Sequence, residues 1–438
     1  MTERIAITGI GMVTAAGHGV EACWETLQKG HSCVSRVSYW NPDGMACHIA
    51  GEVPGPPKVP NRVGRYDVAG RPLSFAVYAA LEALDQAAIG AEVAPLRRAV
   101  VASGGFDDQM LPMMARGADR VVPEGENSFE ALEADALARA MSAPETLVEM
   151  ARYSQVEIAQ ALAEHFEARQ AITVSTACAG GSTAIGDAIG MIRRGEADVV
   201  LCLGVDSLIT YEMMGGFCNL TALSTRNDEP ERASRPFDKD RDGFVMGEGA
   251  AAIVLERESV AVGRGARILA EMAGFGYSAD AYRLTAPHPE GTGMALAMQR
   301  AIDDAGMRPD EIDYVNAHGT STAANDSAET TALKLVFAEH AGRLAVSGTK
   351  SMIGHLIHGA GAVGAAVAVK TLLEQQVHPT ANYETPDPAC DLDVVGGEPR
   401  SMAVGGVIVN AFGFGGQNAS LVFRKYQQPE HGAEQISH

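Results

Sequence analysis

The chain of 438 residues is poor in aromatic residues, at 5%, and short of positive charge, with 34 Lys and Arg against 55 Asp and Glu and a formal net charge of -21. This deficit of cations excludes a general affinity for nucleic acid or for an anionic membrane surface. An acidic partner would have to meet a local basic patch. Long hydrophobic runs are missing as well: Gly and polar residues interrupt each apolar segment before it reaches membrane-spanning length. The N-terminus has no basic region leading into an extended apolar stretch, so no secretion signal is expected. The seven cysteines, Cys23, Cys33, Cys47, Cys178, Cys202, Cys218 and Cys390, are odd in number and contain no Cys-x-x-Cys pair. They read as reduced thiols of a cytoplasmic protein rather than as a disulfide framework.

Glycine, by contrast, is abundant, with 48 residues. Together with many alanines it points to closely packed helices and tight strand-to-helix connections. Strand-like runs recur at Ile5–Thr8, Ala99–Ala102, Ala171–Val174, Val199–Leu203, Ala250–Leu255, Tyr314–Asn316 and Val404–Val409. Helix-like stretches lie at Pro72–Asp85, Ser154–Arg169, Ala184–Arg194 and Thr292–Ala305, and small residues mark Gly359–Lys370 as a tightly buried helix. Such alternation predicts an α/β architecture with sheets covered by helices. A charged, Gly-bearing stretch at Glu256–Arg264 suggests a change of unit. The expected division is 1–256, 257–425 and a short tail, 426–438. Gly51–Arg71 and Gly117–Ala138 read as excursions from the first unit.

Three segments carry the chemistry. Ser175-Thr-Ala-Cys-Ala-Gly-Gly-Ser182 sits between a strand-like run and a helix-like one. A cysteine there is placed as a nucleophile, its thiolate favoured by the helix N-terminus and its small neighbours leaving room for a carbonyl. Taken alone, Cys178 reads more readily as a buried structural thiol. Asn316-Ala-His-Gly-Thr-Ser-Thr322 follows another strand, which suggests an exposed turn for His318, with the Thr320 and Thr322 hydroxyls available to a polar linker. Gly348-Thr-Lys-Ser-Met-Ile-Gly-His355 supplies Lys350 and His355 near a helix start. A third strand leads into Asn410-Ala-Phe-Gly-Phe-Gly-Gly-Gln-Asn418, where Phe414 can close an apolar tunnel or contribute a backbone N–H to an oxyanion. One cysteine, two histidines and a glycine-rich donor loop at strand ends describe thioester chemistry together, although each has a structural alternative.

These segments resemble the β-ketoacyl-acyl carrier protein synthases, condensing enzymes of the thiolase-like superfamily, and the likeness runs from Ile5–Thr14 to Gly413–Asn418. It is nearest to the elongating branch with a Cys-His-His set. The resemblance implies a duplicated five-layer α-β-α-β-α fold and a decarboxylative Claisen condensation that extends an acyl thioester with malonyl carrier. It gives Cys178 the role of acyl acceptor, His318 and His355 the decarboxylation, and Lys350 and Glu329 electrostatic support. Phe414 becomes a gate, and the N–H groups of Cys178 and Phe414 the oxyanion hole. The implied partner is an acyl carrier protein, with Arg62, Arg65, Arg193 and Arg194 as docking candidates. The resemblance also implies a homodimer, or a heterodimer with a related synthase subunit. No cofactor or metal is called for. A noncatalytic chain-length or scaffold partner of a heteromeric polyketide synthase is the alternative. Ala179-Gly-Gly181, His358 and Gln417 depart from the usual motifs, and Met213, Met214, Phe217 and Phe412 are candidate tunnel residues.

Overall fold

The computed structural model describes residues 3–104 and 155–428, so the expected excursion at Gly117–Ala138 and the end of the tail lie outside the described residues. Ten strands build one large sheet: β1 (Ile5–Thr14), β2 (Arg98–Gly104), β3 (Gln170–Val174), β4 (Val199–Asp206), β5 (Gly249–Arg257), β6 (Ala270–Ala279), β7 (Tyr314–Asn316), β8 (Ala345–Ser347), β9 (Gly406–Gly413) and β10 (Gln417–Arg424). Short pieces at Gly17–His18 and Asp393–Val394 complete it. In space the long strands run β8-β7-β9-β10-β6-β1-β5-β4-β2-β3.

The order is one five-strand pattern written twice. β1 pairs antiparallel with β5, and β5 antiparallel with β4; β4, β2 and β3 are then parallel. The second set repeats this, with β6, β10 and β9 antiparallel and β9, β7 and β8 parallel. The sets meet where Ala6 faces Glu271 and Ile7 faces Ala270. The parallel strands β2 and β4 are buried along their whole length, as strands covered on both faces must be.

Helices fill the layers between and outside. α1 (Arg71–Ala87) and α2 (Gln155–His165) cover the outer face of the first set. α3 (Gly180–Arg193) and the last long helix, Ala360–Glu374, lie together in the central layer. The outer face of the second set is covered by the helices Thr292–Asp304 and Ala323–Phe337. Two outer clusters and one central cluster, the last serving both faces of the middle helix layer, thus fill the four interlayer seams of a duplicated five-layer α-β-α-β-α fold, as expected.

Two glycine pairs show how closely the outer helices sit. A Cβ on Gly9 or Gly11 of β1 would stand 2.0 Å from the carbonyl oxygen of Ala83 or Ala79 on α1. On β6, Gly274 and Gly276 meet the carbonyls of Ala301 and Ala297 in the same way, at 2.3 and 2.2 Å. No side chain fits at any of the four places, which leaves glycine as the residue that permits the close approach.

Three strands escaped the sequence reading. Ala270–Ala279 carries Gly274 and Gly276, which break the apolar alternation, Gln417–Arg424 opens on polar residues, and Ala345–Ser347 is too short to show a period. The strand expected to end at Val409 runs on to Gly413, so Asn410 and Phe412 are strand residues and the glycine-rich turn shrinks to Phe414–Gly416.

Candidate active site

Cys178 lies on a 3-10 turn, Ala177–Ala179, between the end of β3 and the start of α3. Ala177 takes a left-handed backbone, φ 47°, which reverses the chain sharply and sets the thiol on the floor of a cavity. Gly413 permits a close approach from β9, since a Cβ there would be 3.1 Å from the Cys178 nitrogen. The sulfur is met by the backbone N–H of Phe414 and by its own N–H, the two donors expected of an oxyanion hole.

The expected depression of the Cys178 pKa is not found. The side chain is buried, and burial pushes the thiol up to about 11, against the opposing pull of the Phe414 N–H and the Lys350 cation. That shift favours the thiol over the thiolate at neutral pH.

His318 is also placed differently from expectation, being 2% exposed rather than set on an open turn. Its backbone is gripped from both sides. The His318 amide donates to Glu329 Oε1 at 2.9 Å, the Gly319 amide to Oε2 at 2.8 Å, and the His318 carbonyl accepts from Lys350 Nζ at 2.5 Å. Glu329 can reach back because Thr322 caps the helix Ala323–Phe337, accepting from the Asn325 amide, and Glu329 falls two turns further along. Asn410 donates to the same carboxylate at 3.1 Å. Burial raises the Glu329 pKa, and burial lowers that of Lys350 to about 8.

His355 comes shortly after the single-turn helix Lys350–Ile353. Its Nδ1 accepts from the Ile357 amide at 3.1 Å, which leaves the proton on Nε2. Nε2 is buried and has no partner among the described residues, nor has His318 Nδ1. The two rings meet edge to face with centroids 5.3 Å apart. One ring nitrogen of each and the Cys178 sulfur lie within 4.8 Å of one another. Three such atoms are close enough to hold a cation, but the tautomer set by Ile357 turns an N–H, a donor, toward the cavity. Burial, with Lys350 nearby, holds both imidazoles well below the usual histidine range, so they are neutral at neutral pH.

The cavity encloses about 610 Å³. Thr320 and Thr322 line it, their hydroxyls 2.9 Å apart. Met213, Phe217 and Phe412 line it too, whereas Met214 is packed into the core. The mouth is edged by Leu284, 80% exposed, on a loop that the sequence reading passed over for want of periodicity. The Leu284 carbonyl accepts from the Gly415 amide at 2.6 Å, tying the mouth to the Phe414 turn. The four arginines singled out from the sequence are already paired: Arg62 with Asp67, Arg65 with Glu164, Arg193 with Asp304 and Arg194 with Glu196.

Comparison with known proteins places the geometry in a wider setting. Residues 2–261 match the family model for the N-terminal domain of β-ketoacyl synthases, and 269–384 the model for the C-terminal domain. A 3-oxoacyl-[acyl-carrier-protein] synthase 2 of Synechocystis is 37% identical over 441 residues, covering 97% of this chain and 99% of the relative. Its namesake from Coxiella burnetii is 38% identical over 427 residues, with the same coverage. Among solved structures, a type II polyketide ketosynthase bound to its acyl-carrier protein and to a hexaketide superposes with a TM-score of 0.84 at 30% identity, covering 97% of this chain and all of that one. The ishigamide ketosynthase/chain length factor gives 0.83 at 32% identity, covering 98% and 100%.

Proposed function

The chain belongs to the β-ketoacyl synthase family, and on that premise we propose that it extends an acyl thioester by two carbons at Cys178, taking them from malonyl carrier with loss of carbon dioxide. The carrying observation is the meeting of the Cys178 sulfur with a nitrogen from each of two neutral histidines on the floor of an apolar cavity. In the first half-reaction the sulfur attacks the thioester carbonyl, the N–H groups of Cys178 and Phe414 hold the oxyanion, and the carrier leaves as its thiol with the proton that Cys178 gave up. In the second, the carbon–carbon bond to the malonyl carboxylate breaks and its electrons form an enolate at the thioester oxygen. His355 Nε2–H, with His318 beside it, donates to that oxygen. The enolate carbon then attacks the acyl group, the bond to Cys178 sulfur breaks, the released thiolate takes up a proton from solvent, and a 3-oxoacyl carrier departs. Lys350 and Glu329 fix the His318 backbone, and Thr320 and Thr322 meet the carrier's polar arm.

This division of labour follows a boundary at 256/257, the first unit bearing the nucleophile and the second the histidines. Incubation of the purified chain with acyl and malonyl carriers should yield the 3-oxoacyl carrier, and absence of product would sink the reading. The pH profile of malonyl decarboxylation carries a further test. A histidine of ordinary pKa would lose its neutral form as the pH falls through about 6.5. With both folded pKa values well below that, the rate should stay level between pH 7 and 6. It should fall as the pH rises through about 8, where Lys350 gives up its charge.

The partner is an acyl carrier protein. At the mouth, Arg283 is exposed, has no ion-pair partner among the described residues, and stacks 5.4 Å from the Tyr282 ring beside Leu284. It is a better anchor for an acidic carrier than the four arginines that already hold carboxylates. Arg283→Glu should raise KM for carrier-borne substrate about five-fold and leave that for a carrier-free pantetheine thioester unchanged. An equal effect on both would remove Arg283 from docking. The sheet edge at β3, with Ala171 and Ile172 exposed and one neighbouring strand among the described residues, offers an edge to a second copy and supports a homodimer. Seven free cysteines fit the cytoplasm, and no described helix is long and apolar enough to cross a membrane.

A further inference from the structure

β7 and β8 lead into the two histidine-bearing loops, yet their parallel ladder is short. Tyr314, Val315 and Asn316 face Ala345, Val346 and Ser347. The Ala317 amide then donates to the Ser347 carbonyl at 3.0 Å, and the loops begin. His318 follows Asn316 by two residues, and Lys350 follows Thr349 directly. Strand pairing therefore ends just where the spacing of the loops begins to matter.

An imidazole that the condensation leaves unused sits at this fork. His378 follows the short strand Gln376–Val377 and is fully buried. The nearest partner of its Nδ1 is the Pro379 carbonyl, at 2.9 Å. A carbonyl only accepts, so the proton is on Nδ1 and Nε2 is an acceptor. Nε2 lies 3.0 Å from the Thr349 hydroxyl, 3.3 Å from those of Tyr314 and Ser347, and 3.4 Å from the Asn316 amide nitrogen. These groups also bond one another: Asn316 Nδ2 donates to the Thr349 hydroxyl at 2.8 Å, and the Tyr314 and Ser347 hydroxyls are 2.7 Å apart. Tyr314 and Asn316 belong to β7, Ser347 ends β8 and Thr349 opens the Lys350 loop, so the ring bridges both arms of the fork. Burial lowers the His378 pKa to about 4, which keeps the ring neutral and its acceptor free of a proton at neutral pH.

The residues after His378 fasten the same loop further along. The Thr380 hydroxyl accepts from the Gly348 amide at 3.0 Å, and the Ala381 amide donates to Ser351 Oγ at 2.9 Å. Polar side chains are costly to bury where apolar ones would pack without loss of hydration, and a satisfied network makes what it joins rigid.

We propose that His378 is a positioning residue for malonyl decarboxylation, holding the ends of β7 and β8 together so that His318 keeps its place against the loop of Lys350 and His355. The assignment rests on the condensing reading above. It separates the two half-reactions, because Cys178 stands on the turn after β3, in the other half of the sheet.

The experiment measures carbon dioxide release from malonyl carrier beside hexanoyl loading at Cys178. His378→Leu should lower kcat for decarboxylation about ten-fold and leave KM and the loading rate unchanged. His378→Gln, whose amide oxygen can reach the place of Nε2, should restore most of the loss. Thr349→Val keeps shape and removes a hydroxyl of the network; it should act in the same direction as His378→Leu, and it keeps the test decisive if the leucine variant fails to fold by circular dichroism. Val377→Ala opens a cavity in the adjoining core and should lower Tm without changing the ratio of the two rates. An unchanged ratio in folded His378→Leu and Thr349→Val overturns the proposal. So does a glutamine variant no better than the leucine one, or a ratio that Val377→Ala moves as far. A wild type that neither loads nor decarboxylates would remove the condensing reading, and the positioning role with it.

Discussion

Cys178→Ala should abolish acyl loading and lower overall condensation by about 10⁴-fold or more, while malonyl decarboxylation continues. The asymmetry follows from the geometry. In the proposed mechanism the sulfur takes part in both carbon–sulfur bond changes, while enolate formation uses the two imidazoles and not the thiol. Intact-protein mass spectrometry after exposure to a series of acyl carriers reads the first half, with an adduct on wild type and none on the variant. Release of carbon dioxide from malonyl carrier reads the second. Condensation that persists in the variant would end the nucleophile assignment. The raised thiol pKa adds that alkylation of the wild type at Cys178 should be slow at neutral pH, since little thiolate is present.

The reverse pattern is expected for the histidines. Replacing His318 or His355 by Ala should lower decarboxylation by about 10²- to 10³-fold, the usual result of removing one donor to a developing oxyanion, while acyl loading at Cys178 continues. The two replacements differ structurally. Loss of the His355 ring leaves the buried Ile357 amide without its acceptor, whereas His318 is held through its backbone by Glu329 and Lys350, so its ring can be removed with the loop still in place. His318→Ala is therefore the cleaner experiment. Normal decarboxylation by a folded variant would dismiss the residue from the chemistry.

Much of this site was legible because its parts are local. Cys178, His318 and the Lys350 to His355 segment each follow a short apolar run, and a residue just past a strand end is where parallel α/β sheets collect their chemistry. What was hidden depends on the surroundings. His318 is buried because Glu329, Lys350 and the opposite wall close over it, and no property of the tripeptide Ala317-His318-Gly319 announces that. The thiol pKa reverses direction for the same reason, desolvation outweighing the Phe414 N–H and the Lys350 cation that pull it down. The bond from His358 to Asp206 joins residues 152 positions apart and has no signature in either segment. Strand β6 was missed because its glycines, selected for helix approach, spoil the alternation by which strands are found.

Those glycines have a historical consequence. β1 against its helix and β6 against its own repeat one joint, glycines two apart meeting alanine carbonyls four apart in the same register. The strand order repeats with it, and the segment after β3, which bears Cys178, corresponds to the segment after β8, which bears Lys350 and His355. Matched joints and matched loops are the imprint of a doubled gene. Within those loops the turn Ala177–Ala179 matches the turn Ile357–Gly359, each entered through a left-handed residue and each leading into a long helix, so that Cys178 in one copy stands where His358 stands in the other. A single chain is free of the demand that its two halves stay identical, and the matched places now hold sulfur in one half and imidazole in the other.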